Sequence, residues 1–264
     1  MKLFIANVVL VFWASTAVPA DSLSIGQIFH RETSFNIDGV FNGKNIAWGK
    51  QIPPFKFYPE AKKIELPESS FSGLTVEEAI VRRKSDRSFT DRPLTTAELA
   101  QILLSADGIT HTHISGAFSM RTAPSGGALY PIELYVIVNK VDSLENGLYH
   151  FQVSNNSLEL LKSGDFSGQI HEAANNQDAV GKSPITVILT ARFERSTIKY
   201  ADRGYRYVYM EAGAICENIY LQATSLKLGT VAVGAFNDER LNNFLEIDGL
   251  NEAALLIMPV GHLD

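Results

Sequence analysis

Two segments of this 264-residue chain concentrate side chains suited to a phosphorylated, flat ligand. Arg83-Lys84-Ser85-Asp86-Arg87 supplies fixed positive charge and a hydroxyl, the groups that hold a phosphate. Arg121-Thr-Ala-Pro-Ser-Gly-Gly-Ala-Leu-Tyr-Pro131 supplies small residues that let backbone amides approach a ligand closely, then runs into an apolar strand. Positions 83, 85 and 87 share a face only if the chain leaves its helix there, and Phe89-Thr90-Asp91 predicts that it does. Without a ligand, the first segment reads as a solvated basic helix end and the second as a loop leading into a strand. A helix carboxyl end is a poor anion site, so the arginines must overcome it.

Two further clusters could join them. In Lys199-Tyr200-Ala-Asp-Arg203-Gly-Tyr205-Arg206-Tyr207, a lysine beside a tyrosine can serve as base and proton donor when partly desolvated. The alternative there is an amphipathic helix start with exposed basic residues. In Val233-Gly234-Ala235-Phe236, small residues would let a ring lie against the backbone; otherwise this is a plain exit from a strand. The chain has no Walker A lysine, no G-x-S-x-G elbow and no G-x-G-x-x-G, which argues against a P-loop, a hydrolase nucleophile and a Rossmann dinucleotide domain. His111 and His113 stand in an expected loop without a carboxylate or cysteine at ligand spacing, so no metal site is expected.

The elements that must position these residues are legible in outline. Thr75-Val-Glu-Glu78 and Thr95-Thr-Ala-Glu98 are capping boxes that open two helices, the second carrying Leu99, Ile102, Leu103 and Ala106 on one face and ending at Gly108. Ile132 to Val138 reads as a buried strand, and residues 147–161 as a hairpin turning at Ser-Asn-Asn-Ser157. Residues 166–176 read as helix and Pro184 to Ala191 as strand. Tyr205 to Leu226 reads as a long helix with Val208, Ala212, Ile215, Ile219 and Ala223 on one stripe. Thr230 to Val233 (strand), Asp238 to Leu245 (helix) and Ala253 to Val260 (strand) complete the chain. Strands and helices mixed without strict alternation predict an α+β sandwich.

Composition sets outer limits. With 45% hydrophobic and 20% charged residues, the chain suits one folded domain plus an extension. The net charge of −6 and the lack of long basic runs give no footprint for nucleic acid. Cys216 is the single cysteine, which excludes an intramolecular disulfide and a cysteine-cluster metal site; inside a long expected helix among apolar residues it reads as a buried small hydrophobe. Lys2, the apolar run Leu3 to Trp13 and Val18-Pro19-Ala20 predict a signal peptide over residues 1–20 and an exported, periplasmic protein. Residues 21–74 read as a Pro/Gly-rich extension, with Phe55, Phe57 and Tyr58 packing it onto the main domain, residues 75–264, or onto a partner chain.

Taken in order, these motifs resemble the nitroreductase family, in its SagB-type (thiazoline/oxazoline dehydrogenase) branch, over roughly residues 75–264. Pro-Ser-Gly-Gly-Ala-Leu-Tyr-Pro131 and Lys199-Tyr-Ala-Asp-Arg-Gly-Tyr-Arg206 carry most of the resemblance. It implies a central, mostly antiparallel sheet flanked by helices, in a homodimer with FMN at the interface. It places Arg83, Ser85 and Arg87 on the phosphate and ribityl groups, and Pro124, Ser125, Gly126 and Gly127 along the flavin. Gly234 and Ala235 would approach the ring, and Gln177 would be a further contact. Lys199 and Tyr200 match the catalytic pair of the azoline-oxidising relatives.

Three departures stand out. Lys84 replaces the second arginine of the common Arg-Arg-Ser pattern. His262 stands where relatives often carry arginine, which leaves a phosphate contact there open. An export signal is foreign to peptide-maturing relatives that work beside a cyclase in the cytoplasm. The implied activity is two-electron flavin redox on a small molecule or a peptide-derived heterocycle. The alternatives are a nitro or quinone reductase using NAD(P)H, and a non-catalytic flavin-binding or scaffold protein.

Overall fold

The computed structural model describes residues 23–34, 52–68, 73–112 and 119–264. The signal peptide expected at residues 1–20, and His113, lie outside them. The chain forms two compact units, residues 1–42 and 43–264. The first contains helix α1 (Ile25–Glu32), opened by a Ser24–Gln27 capping box.

In the second unit, both expected capping boxes close. Thr75 and Glu78 cap α2 (Val76–Arg82), and Thr95 and Glu98 cap α3 (Thr96–Asp107). Each pairs two amides that would otherwise be orphaned. Gly108 ends α3 with an ordinary extended φ of −68°. Glycine is needed there for space, because a Cβ would come within 2.4 Å of the Leu104 side chain and 2.5 Å of its carbonyl oxygen.

Seven strands form one sheet. In chain order they are β1 (Lys62–Glu65), β4 (Ile132–Val138), β5 (Gly147–Gln152), β6 (Ser157–Ser163), β7 (Ile185–Arg192), β8 (Leu228–Thr230) and β9 (Glu252–His262). Their spatial order is β1-β6-β5-β4-β7-β9-β8, and every neighbouring pair is antiparallel. A separate ribbon pairs β2 (Ile109–Thr112) with β3 (Ser119–Arg121), so His111 belongs to a strand rather than the expected loop.

Both faces of the sheet are covered, which is why its central strands read as unbroken apolar runs. Alternate residues of β4 and β7, among them Leu134, Val136, Val187 and Leu189, pack with Leu99, Ile102 and Leu103 of α3. The same cluster takes in Val208, Ile215 and Ile219 of α7 (Gly204–Ser225). The intervening Tyr135, Ile137 and Ile188 face a second core with Ile170, Val180, Leu241 and Leu245. Those four come from α4 (Ser167–Ala173), α5 (Asp178–Gly181) and α8 (Asp238–Leu245). Each such fully buried side chain stabilises the fold by about 1.5–3 kcal/mol relative to exposure.

Three local findings depart from the sequence reading. Residues 53–65, placed there in the extension, are built into the domain: β1 adds an edge strand to β6, Phe55 packs on the core, and Tyr58 hydrogen-bonds Tyr135. Phe57 remains exposed. The strand expected at 230–233 is β8, two residues earlier, and beyond it lies a lone bridge from Val233 to Ile257. The ladder breaks because the Ala232 N–H turns to the Tyr220 hydroxyl at 2.8 Å. Cys216 is only half-buried on α7.

Candidate functional site

The basic segment leaves its helix as its spacing requires. Arg83 caps α2 with ψ 129°, and the chain then runs extended, bonded from Asp86 N–H to Thr230 O and from Thr90 N–H to His262 O. Buried Tyr220 of α7 anchors this extended run. Its ring lies 5.1 Å from the Arg83 guanidinium, and its hydroxyl shares a 2.9 Å hydrogen bond with Ser85 Oγ while accepting from Ala232 N–H. Ser85 and Arg87 are exposed.

Gly234 and Ala235 follow two and three residues after Ala232. A Cβ at Gly234 would meet no atom within 4 Å, so this chain leaves open the space that a side chain would fill. Gln177 works from behind. Its amide donates to Ala235 O at 2.9 Å and to Ala174 O at 3.1 Å, so it shapes the turn through backbone carbonyls. His262 faces elsewhere, with Nε2 3.6 Å from Glu98 Oε2.

The glycine-rich segment meets the Lys-Tyr pair. Pro124 and Gly127 are exposed, and Gly127 holds φ 72° beside Ala128 at 56° and Tyr130 at 45°. Glycine adopts that geometry freely; the other two cost about 1–2 kcal/mol each. A Cβ at Gly127 would come within 2.6 Å of Tyr200 Oη and 2.8 Å of Lys199 Nζ, so the loop and the pair are in contact. Lys199 and Tyr200 end α6 (Glu194–Tyr200), where Ala201 at φ 47° breaks the helix before α7. Tyr207 packs edge-on against Tyr200 at 4.8 Å, takes a 3.0 Å bond from Arg203 Nε, and lies under Gly126.

Two buried arginines fix this loop from below. Arg121 pairs with Asp107, donates to Pro54 O at 2.9 Å and stacks on Tyr130 at 4.5 Å. Arg195 donates to Tyr130 O at 2.8 Å and Pro53 O at 3.0 Å, and its charge meets Glu133 at 2.6 Å. Tyr130 N–H in turn donates to Ser125 Oγ at 2.9 Å. The 53–58 segment therefore supplies acceptors to the same network that holds the loop.

Beyond Glu133 the network continues to His150, whose two ring nitrogens stand 2.9 Å from Glu133 and Glu159. Burial disfavours the imidazolium, but the bonds to the two carboxylates outweigh it and raise the His150 pKa above its ordinary 6.5. Burial likewise opposes ionisation of Glu133, yet His150 and Arg195 bring it down to about 2. The stability owed to His150 is thus complete below pH 6.5 and is lost as pH rises through its raised value. Glu133's share disappears only as pH falls from 4.5 towards 2. Urea titrations of His150→Gln should show the alkaline loss flattened and the acid limb weakened, because Glu133 loses a partner that holds its pKa down; an unchanged alkaline limb would assign that loss elsewhere.

The sequence-derived residues therefore fall into two sets. Arg83 and Ser85 contact Tyr220, with Gly234 and Ala235 two and three residues past the Ala232 that donates to it; Gly126 and Tyr200 contact Tyr207, with Gly127 and Lys199 beside Tyr200. Thirteen residues of α7 separate the two tyrosines, about 20 Å along the axis. Tyr220 carried no signal in the sequence, because its partners lie up to 135 positions away.

The comparisons with known proteins bear on family and fold. The model of the nitroreductase family matches residues 80–262. A protein of Methanocaldococcus jannaschii named "Putative nitroreductase MJ1384" is 39% identical over 202 residues, covering 76% of this chain and 97% of that protein. The microcin B17-processing protein McbC of Escherichia coli is 26% identical over 149 residues, 54% of this chain and 55% of that protein. A chain of the E. coli microcin synthetase McbBCD complex with truncated pro-MccB17 bound shares the fold, with TM-score 0.62 at 21% identity, covering 91% of this chain and 92% of that one. With the motifs and the fold in agreement, this chain belongs to the nitroreductase family of flavin-dependent oxidoreductases.

Proposed function

We propose that the flavin is FMN and that the protein carries out two-electron redox on a small molecule or a peptide-derived heterocycle, with Lys199 and Tyr200 as the proton-moving pair. The observation that carries this is the contact of both head groups with Gly127, at the floor of the loop. The residues present suit such a cofactor. Arg83 and Ser85 are held by Tyr220, exposed Arg87 adds a second guanidinium, and Gly234 leaves an open cradle. When bound, FMN supplies hydride chemistry; the protein supplies orientation and proton handling. Lys199 Nζ and Tyr200 Oη would hold or move the proton that accompanies the hydride. Lys199→Ala should keep its flavin and lose about 10²–10⁴-fold in turnover. Flavin retained with turnover intact would remove Lys199 from this role. Stopped-flow mixing with NADH or NADPH separates the two directions of use: rapid bleaching of the flavin marks a reductase, and its absence an oxidase.

The spacing of the two residue sets supports a composite site between two copies. Within one chain, the phosphate cradle and the glycine-rich loop stand at opposite ends of α7 (about 20 Å). A two-fold partner with an antiparallel α7 would bring the loop of one copy to the cradle of the other. Exposed Val76, Ile80 and Val81 of α2 and Tyr209 and Met210 of α7 offer the apolar surface for such a homodimer.

A further inference from the structure

The strap of residues 53–58 lies ahead of residues 80–262, the span that matches the family, yet it is bonded to the residues that hold the glycine-rich loop. Pro53 and Pro54 have no N–H to satisfy, so their backbone offers acceptors alone. Both carbonyls turn onto buried arginines. Pro53 O accepts from Arg195 Nε at 3.0 Å, and Pro54 O accepts from Arg121 Nη2 at 2.9 Å. The Phe55 ring then lies 5.3 Å from the Arg121 guanidinium. Farther along, Lys56 Nζ reaches Tyr135 Oη at 2.6 Å and Glu252 at 2.8 Å, and Tyr58 N–H donates to Glu159 at 3.3 Å.

The same two arginines hold Tyr130. Arg195 Nη1 donates to its carbonyl at 2.8 Å. Arg121 stacks on its ring at 4.5 Å and donates its backbone N–H to the hydroxyl at 3.2 Å. Tyr130 stands at φ 45°, a conformation that a bulky residue keeps only where its surroundings enforce it. Its N–H donates to Ser125 Oγ at 2.9 Å, which closes the loop. A guanidinium is a rigid planar fork, so acceptors bonded to one fork do not move independently. An undocked strap would leave buried N–H groups of both arginines without acceptors, a costly state that they can escape only by turning. Turning releases Tyr130, and with it Ser125.

We propose that the 53–58 strap is a positioning element of the flavin site: through Arg195 and Arg121 it holds the Pro124–Gly127 loop in its flavin-accepting shape, so that strap docking and flavin binding are coupled. The link from strap to loop stands on these contacts, and only the link from loop to flavin rests on the FMN reading. Such coupling is reciprocal. Bound FMN therefore secures the strap by the same factor by which a docked strap improves FMN affinity.

Hydrogen exchange and FMN titration of full-length variants test both links. Lys56→Met removes the anchor on Tyr135 and Glu252, and Phe55→Leu removes the ring beside Arg121 while keeping an apolar side chain. Without cofactor, exchange across residues 121–130 should quicken about fivefold or more in each. Phe55→Tyr, which keeps a ring, should stay near wild type. Should Lys56→Met fail to fold, the Phe55 pair decides. FMN affinity should fall by a similar factor in Lys56→Met and Phe55→Leu. Leu245→Val loosens the second core instead, and should move neither loop exchange nor FMN affinity. In the wild type, saturating FMN should slow exchange at residues 55–58 about fivefold or more. Loop exchange that ignores the strap variants, or that Leu245→Val moves equally, overturns the proposal whether or not FMN binds. A loosened loop with unchanged FMN affinity overturns the coupling to flavin. A protein that takes up no FMN sinks the cofactor reading, while exchange still decides the link from strap to loop.

Discussion

Arg195→Ala is expected to cost about 3–5 kcal/mol of stability, because it breaks a buried ion pair by removing one partner. That is a large share of the about 5–15 kcal/mol that keeps a domain folded. The side chain is 1% exposed, donates to Tyr130 O and Pro53 O, and pairs its charge with Glu133. Its loss strands a carboxylate and two carbonyls away from water. It also frees the glycine-rich loop, which Tyr130 closes, and the strap of residues 53–58, which Pro53 opens. Urea unfolding should show a lower midpoint at an unchanged slope. Adding Glu133→Gln to Arg195→Met should recover much of the loss, because the buried charge then disappears while the new amide oxygen can still accept from His150. A loss below about 1 kcal/mol for Arg195→Ala would mean that water already reaches this network.

How much of the molecule could be read in advance depends on the range of each interaction. The capping boxes at Thr75 and Thr95 and the stripe on α7 are local, and the structure places them as their spacing requires. Ile132 to Val138 was legible because both of its faces are buried. β1 was not: Lys62-Lys-Ile-Glu65 is short, charged and half-covered, as an edge strand should be, and nothing local marks it. The motifs of the site were visible one by one, but their order along the chain carries no distance. Only the fold shows that Gly127 touches Lys199 while Ser85 sits at the far end of α7.

Mixing two inactive variants should restore activity if the site is shared between copies. Arg83→Ala damages the cradle at one end of α7, and Lys199→Ala the proton-moving pair at the other. In a mixed dimer with composite sites, one site inherits both lesions and the other inherits neither. Random reassortment makes half of the dimers mixed, so co-refolded or co-expressed variants should regain about a quarter of wild-type turnover. Sites contained within single chains would each keep one lesion in every combination, and the mixture would stay as inactive as its parts. Flavin content checks the placement of Arg83 independently. Arg83→Ala alone should lose FMN, Lys199→Ala alone should retain it, and the mixture should hold an intermediate amount. Activity recovered without a change in flavin content would contradict the placement of Arg83. No recovery at full reassortment would return the site to one chain, where α7 would have to be spanned by the ligand itself.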